Sequence, residues 1–387
     1  MNASQFIFYR WFVRCLVIVT SALLAVTAFA PAQTARAQCP CDVATAQAAI
    51  DAARPVPVFK PPGPAFDAKK AAGKTIFNIQ ETNANPFTSG ITEAMKKVAE
   101  KAGIKFIDYP NQGQHTQWIQ GINTAITMKA DVITLIGGGI MTKFFLPQAK
   151  AAREKGIHIV TCVNEDLSQP KGEYVTARVG QPYAAASKLN ADWVIAKSNC
   201  DTEVLVITSD EVIGGVTQVA AIKNEFAKLA PCVKLTFANA PVPEWSTKIA
   251  PSVTPLVQAR PNLKWIIPLY DSMSQFVVPA IKMGGGYGRV KISTFNGTPF
   301  VQKMMQDDPD GPVSMNVGES LGWLGYATMD QAMRVLTGSP IVESGDENIP
   351  LRIFDKTNVH ECGSPPTYEG GYGDDFVPGY MKLWGLQ

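Results

Sequence analysis

From position 74 onward, apolar runs of four to six residues alternate with amphipathic stretches, and few folds accommodate that pattern. The runs TIFNI, KFIDYP, DVITLIGG and HIVTCV are separated by helical stretches such as SGITEAMKKVAEKAG, which stops at Gly103, and FLPQAKAAREKG, which stops at Gly156. Short apolar runs bounded by helical patterns read as strands buried on both faces, and glycine closing a helix reads as a left-handed cap. Their strict alternation predicts successive βαβ units and a parallel sheet. After a bridge, YVTARVGQ, the pattern begins again with EVLVITS, KLTFAN, WIIPLY, KISTFN and VSMNVG. The fold class is therefore α/β, with two doubly wound parallel-sheet lobes in tandem. A later helix, SLGWLGYATMDQAMRVLTG, is expected to return to the first lobe.

The ends of the chain read differently. Arg10 and Arg14 precede an apolar run, and Ala35 and Ala37 occupy the −3 and −1 positions of a cut after Ala37. This is the pattern of a secretory signal peptide over residues 1–37, so a periplasmic product is expected. The residues around Cys39 do not form a lipobox, and no later run is apolar enough to span a bilayer, so direct membrane insertion is not expected. Residues 38–73 read as a short Ala-rich helix and a Pro-rich arm, and residues 353–387 as an irregular extension rich in glycine and aromatics. A formal charge of +2 gives no electrostatic case for nucleic acid. The expected partner is a small molecule, bound by a monomer.

Ligands of open parallel sheets bind where strands end and helices begin. The first such address is IFNIQETNANPFTSG, where Gln80, Asn83 and Asn85 offer amides and Phe87 offers a flat apolar face. Asn85 also suits a helix cap. By the same rule Asn164 belongs to the cleft from the first lobe, and Tyr270, Asp271, Asn296 and Asn316 from the second. Amides, a carboxylate and aromatic faces suit a neutral polyhydroxylated ligand. The run Gly137, Gly138, Gly139 follows a strand and either cradles a phosphate or makes a tight turn near the ligand; it lacks the GxGxxG spacing. His115, His158 and His360 show no metal-ligand spacing, no GxSxG elbow occurs, and neither a metal nor another cofactor is called for.

Over residues 75–353 the chain resembles the class I periplasmic binding proteins that include ribose-binding protein. The resemblance rests on NPF at 85–87, on IHIVTCVNED, on YDSM at 270–273 and on FNGTP at 295–299. It implies two lobes joined by a three-segment hinge, with crossings near 178–181, near 316–318 and after Leu351. The division is then 74–178 plus 318–352 for the N-terminal lobe and 179–317 for the C-terminal lobe. It also implies that Asp271 and Asn296 hold sugar hydroxyls, with Asn85 and Phe87 on the opposing lip. Two arginines of that family are missing: Val163, Asn164, Glu165 and Asp166 stand where it carries an Asp-Arg pair, and GGVTQVAAIKNEF has no early basic residue. The ligand is then a polyol, an unusual sugar or something more apolar.

The function these readings support is a non-catalytic solute receptor that delivers a sugar-like or polyol ligand to an ABC importer permease. The alternative is a sensor that presents its closed form to a chemoreceptor or receptor kinase. An enzyme lacks its motifs here, and a signal peptide stands where repressors of this fold carry a DNA-binding head. Six cysteines remain after the signal in an oxidising compartment, which favours disulfides. Cys200 and Cys232 each precede a strand, and strands joined by one crossover commonly lie side by side, so a Cys200–Cys232 disulfide is expected. Cys362 is expected to pair with Cys39 or Cys41, leaving Cys162 a buried thiol.

Overall fold

A computed structural model describes residues 39–387; the expected signal peptide, residues 1–37, lies outside the described residues. The chain enters through helix α1 (Val43–Ala52), whose first turn is capped by Asp42 accepting from the Thr45 N–H at 3.0 Å. A Pro-rich arm and a 3₁₀ turn (Ala68–Ala71) then lead into the first sheet.

That sheet is built from β1 (Thr75–Gln80), α2 (Pro86–Ala102), β2 (Lys105–Tyr109), α3 (His115–Thr127), β3 (Val132–Ile136), α4 (Leu146–Glu154), β4 (His158–Asp166) and β5 (Ala177–Gln181). Its strands lie in the order β2-β1-β3-β4-β5, all parallel. The central strand β3 is buried along its whole length, as its unbroken run VITLI requires. Helix α2 stops at Gly103, which adopts φ 67°, a conformation cheap for glycine.

The second body follows as α5 (Tyr183–Ser198), β6 (Glu203–Thr208), α6 (Ile213–Leu229), β7 (Lys234–Asn239), α7 (Trp245–Ala259), β8 (Leu263–Pro268), α8 (Ser274–Met283), β9 (Lys291–Asn296), α9 (Pro299–Asp307) and β10 (Val313–Glu319). Helix α10 (Leu321–Thr337) goes back to pack on α2, β4 and β5. Strand β11 (Leu351–Phe354) then returns, antiparallel to β10, and helix α11 (Phe376–Trp384) ends the chain. The second sheet has the order β11-β10-β9-β8-β6-β7. The two α/β lobes are those the alternation of runs implies. Three segments join them: after Gln181, at Ser320, and just before Leu351. Residues 318–319 and 351–352, expected in the first lobe, pair with each other in the second sheet, because β10 runs on to Glu319 before the chain turns. No helix among the described residues is long and apolar enough to cross a membrane.

Both extensions are ordered parts of the body. Helix α1 lies on α5, and the arm after it carries Phe59 to Trp323 and Tyr380, at ring-centroid distances of 5.8 and 4.9 Å. The Phe66 N–H donates to the Leu383 carbonyl at 3.0 Å. From the other end, α11 lays Phe376 flat on Trp323 at 4.7 Å, and the Trp384 indole donates to Asp330 at 2.6 Å. The irregular ending expected from sequence thus contains a helix. Under these arms lies a fully buried pair, in which Arg334 Nε donates to Asp330 at 2.5 Å and the Phe66 ring stands 4.6 Å from the guanidinium.

The expected Cys200–Cys232 disulfide is not formed. Strands β6 and β7 begin to pair at Glu203 and Lys234, which leaves both cysteines in the preceding turns, where the amino-terminal arm meets them. Cys39 bonds to Cys232 and Cys41 to Cys200, with Cα separations of 6.2 and 6.0 Å. Cys362, expected to tie the two ends together, is a buried free thiol, as is Cys162. Each bond closes a loop, spanning 193 residues in one case and 159 in the other. In the chain-entropy picture a loop of this size is worth about 5 kcal/mol, although two bonds tethering one arm do not add. Non-reducing peptide mapping should recover Cys39 with Cys232 and Cys41 with Cys200, and reduction should lower the melting temperature. Recovery of a peptide joining Cys200 to Cys232 would contradict this arrangement.

Candidate functional site

The carboxyl ends of both sheets face one cleft. On the first-lobe side, β1 ends at Gln80, and the Glu81 N–H still donates to the Ile136 carbonyl of β3 at 2.7 Å. The turn closes when Asn85 caps α2, accepting from the Phe87 N–H at 3.1 Å with Pro86 in the first turn. That cap holds the Phe87 ring at the helix mouth, buried against the cleft. Gln80 and Asn83 support the turn: Gln80 Nε2 donates to Asp108 at 3.2 Å, and Asn83 Oδ1 accepts from the Asn111 N–H at 2.7 Å.

The glycine run after β3 receives a side chain. A Cβ on Gly139 would sit 2.1 Å from Glu81 Oε1, and one on Gly137 would sit 2.6 Å from Glu81 Cβ. The loop is therefore filled by the Glu81 carboxyl, toward which the Gly139 N–H donates. A phosphate there would meet a carboxylate, and the tight-turn reading holds. Burial pushes the Glu81 carboxyl up to about 7; Glu211 adds to the shift, and the Gly139 N–H opposes it.

From the second lobe come Tyr183, Val212, Val242, Trp245, Tyr270, Ser272 and Asn296. Trp245 is fixed by its indole N–H, which donates to Ser209 at 2.9 Å and to the Ala240 carbonyl at 3.0 Å, and its ring stacks on Tyr270. Among the described residues, hydrogen bonds that join the lobes at the cleft include Ser272 to Asn85 Oδ1 at 3.0 Å and Tyr183 to the Val163 carbonyl at 2.8 Å. They close the innermost chamber to about 30 Å³. Two chambers share its walls, one of about 210 Å³ and one of about 420 Å³. The larger is in the size range of a small-molecule site. The Tyr270 hydroxyl is buried beside the innermost chamber and has no hydrogen-bond partner.

A family model described as a periplasmic binding protein domain matches residues 76–340. The chain belongs to the periplasmic binding protein family. That family is one of binding proteins, in agreement with the non-catalytic reading of the sequence. Residues 39–75 and 341–387, which hold both extensions, fall outside that match. None of the curated proteins compared matches the chain. Among solved structures, a sugar ABC transporter protein from Yersinia enterocolitica is 14% identical with a TM-score of 0.66, covering 82% of this chain and 95% of its own. A solute-binding protein from Agrobacterium vitis with bound allitol is 18% identical at a TM-score of 0.64, covering 75% and 98%. A Caulobacter myo-inositol-binding protein is 18% identical at 0.64, covering 74% and 95%. At these identities the likeness is one of fold, and it agrees with the class I architecture.

The expected site residues of this periplasmic binding protein divide into two groups. Asn85, Phe87, Tyr270 and Asn296 line the innermost chamber. Asn164, Asp271 and Asn316 do not line it. Asn164 is turned to the Ile140 carbonyl, to which it donates at 2.5 Å. Asp271 is spent within its own lobe, accepting from the Thr298 N–H at 2.8 Å, the Thr298 hydroxyl at 2.7 Å and Asn316 Nδ2 at 2.7 Å. Burial pushes its carboxyl up to about 6 against these bonds. A carboxylate so placed locks the β8, β9 and β10 ends together, and truncating it would orphan buried donors at about 1 to 3 kcal/mol each. The sequence reading passed over Glu81, although it lies one residue past β1 in the stretch already singled out, and over Tyr183 and Trp245. Trp245 follows β7 at a strand-end address, a signal obscured by the prolines at 241 and 243.

Behind the cleft, Gln181 at the first crossing donates its amide to Glu319 at the second. Glu319 is fully buried, its Oε1 has no partner, and burial pushes its carboxyl up to about 8. A carboxyl raised in the fold binds its proton more tightly there than in the unfolded chain. The stability it confers is complete below the ordinary value of 4.5 and is lost as pH rises through about 8. Glu81 and Asp271 act in the same direction. Melting temperatures should therefore fall between pH 5 and pH 8. Glu319→Gln, which is neutral at every pH, should raise the pH 8 value by a few degrees and leave the pH 5 value nearly unchanged. A flat profile in the wild type, or a variant as pH-sensitive as the wild type, would contradict this.

Proposed function

We propose that this protein captures a small sugar-like or polyol ligand between its two lobes and delivers it to the permease of an ABC importer. The observation that carries the reading is the cleft itself. Strand ends of both lobes converge on aromatic faces and amides, Phe87, Tyr183, Trp245 and Tyr270 beside Asn85 and Asn296. Rings pack on the apolar C–H faces of a polyol, and amides bond its hydroxyls. Allitol and myo-inositol in the Agrobacterium and Caulobacter proteins are ligands of this class. The export pattern of residues 1–37 supports action in the periplasm.

A thermal-shift series of hexitols, inositols and hexoses should find compounds that raise the melting temperature, because a ligand that binds only the folded state stabilises it by mass action. Uptake of the labelled compound should be lost in a deletion strain; retained uptake would refute delivery to an importer. Tyr270→Phe removes only the unpartnered hydroxyl, so affinity for the best compound should fall about ten-fold with the fold's stability unchanged. Calorimetry showing equal affinity would remove Tyr270 from the site.

A further inference from the structure

Glu81 from the first lobe and Glu211 from the second line the same chamber of about 420 Å³, together with His115, Trp118 and Phe144. Both carboxylates are held in place. Glu81 is more than nine-tenths buried and wedged against Gly137 and Gly139, while Glu211 accepts from the Val242 N–H at 2.6 Å. Among the described residues neither forms an ion pair, and no lysine or arginine lines this chamber or the two beside it. The aromatic wall is also fixed. The Trp118 indole donates to the Glu81 carbonyl at 2.9 Å, and His115 lies between Trp118 and Phe144 at 4.8 and 4.7 Å. Glu81 continues into the innermost chamber, where the buried Tyr270 hydroxyl lacks a partner.

A neutral polyol would leave Glu81, buried and raised to about 7, half-ionised in the same chamber as Glu211 without a counter-charge, and desolvation and like-charge repulsion both oppose that charge. A protonated amine removes the conflict. It brings charge and N–H donors to both carboxylates, and aromatic faces attract cations further. A metal ion would need more ligands, and no three His, Cys, Asp or Glu side chains converge among the described residues. We propose that the ligand carries a protonated amino group held between Glu81 and Glu211, so that it is an amino sugar or amino polyol. This rests on the sugar-or-polyol reading above and narrows it.

The test is calorimetry at pH 7 with matched pairs: glucose and glucosamine, sorbitol and 1-amino-1-deoxysorbitol, myo-inositol and an amino-deoxy-inositol. In any pair that binds, the amino member should bind at least about ten-fold tighter. Glu211→Gln, an exposed-rim change that the fold should tolerate, should bring that advantage close to one, with circular dichroism confirming an intact fold. Equal or tighter binding of the hydroxyl member, or an advantage unchanged in Glu211→Gln, would overturn the amino assignment and leave the polyol reading standing. Binding of no member of either series at millimolar concentration would overturn the polyol reading and the amino assignment with it.

Discussion

A buried carboxylic acid holds the two lobes in register. Glu319 closes β10 and Gln181 closes β5, so their hydrogen bond joins the last residues of two strands that belong to different sheets. No water reaches the pair, and a carboxyl shielded this completely stays protonated near neutral pH. The strand ends that make the cleft, Glu81 after β1, Tyr270 after β8 and Asn296 closing β9, belong to the two sheets this pair joins. Their facing geometry, and with it the contact of Ser272 with Asn85, follows from where this pair sets the crossings.

Around that hinge the chain adds braces that the matched family region does not include. The amino-terminal arm is cross-linked to the second lobe at Cys200 and Cys232 and then docks Phe59 and Phe66 beside α10 of the first. The carboxyl-terminal segment leaves β11 in the second sheet and seats α11 on the same helix. The lobes are therefore linked by five stretches of chain, three at the hinge and two along its outside. Relative domain motion depends on how large and apolar the contacts between units are. Here the rings of Trp323, Phe376, Tyr380 and Trp384 pack α11 against α10 and so fasten the outer brace to the first lobe by apolar contact.

The alternation of apolar runs and helices was enough to place nearly every strand and both lobes, because buried parallel strands leave a signal in every residue. The site was less legible. Asp271 and Asn85 occupy the same kind of turn, yet one serves the core of its lobe and the other also reaches across the cleft; the direction of a side chain is set by packing that no local pattern encodes. The cysteines failed for a related reason, since their partners depend on where a Pro-rich arm lies. Helix α11 was hidden by Pro378 and Gly379, both poor helix formers. Its Phe376, Tyr380 and Trp384 recur at helical spacing and are buried on α10, and tertiary packing outweighs the local preference.

The central claim is that a solute is held between two lobes that close on it. Small-angle X-ray scattering of the purified protein, with and without a saturating compound from the thermal-shift series, tests it most directly. The account predicts that the ligand shrinks the radius of gyration and that the liganded curve matches the closed arrangement described here. Superimposable curves, with binding established by calorimetry on the same sample, would contradict it.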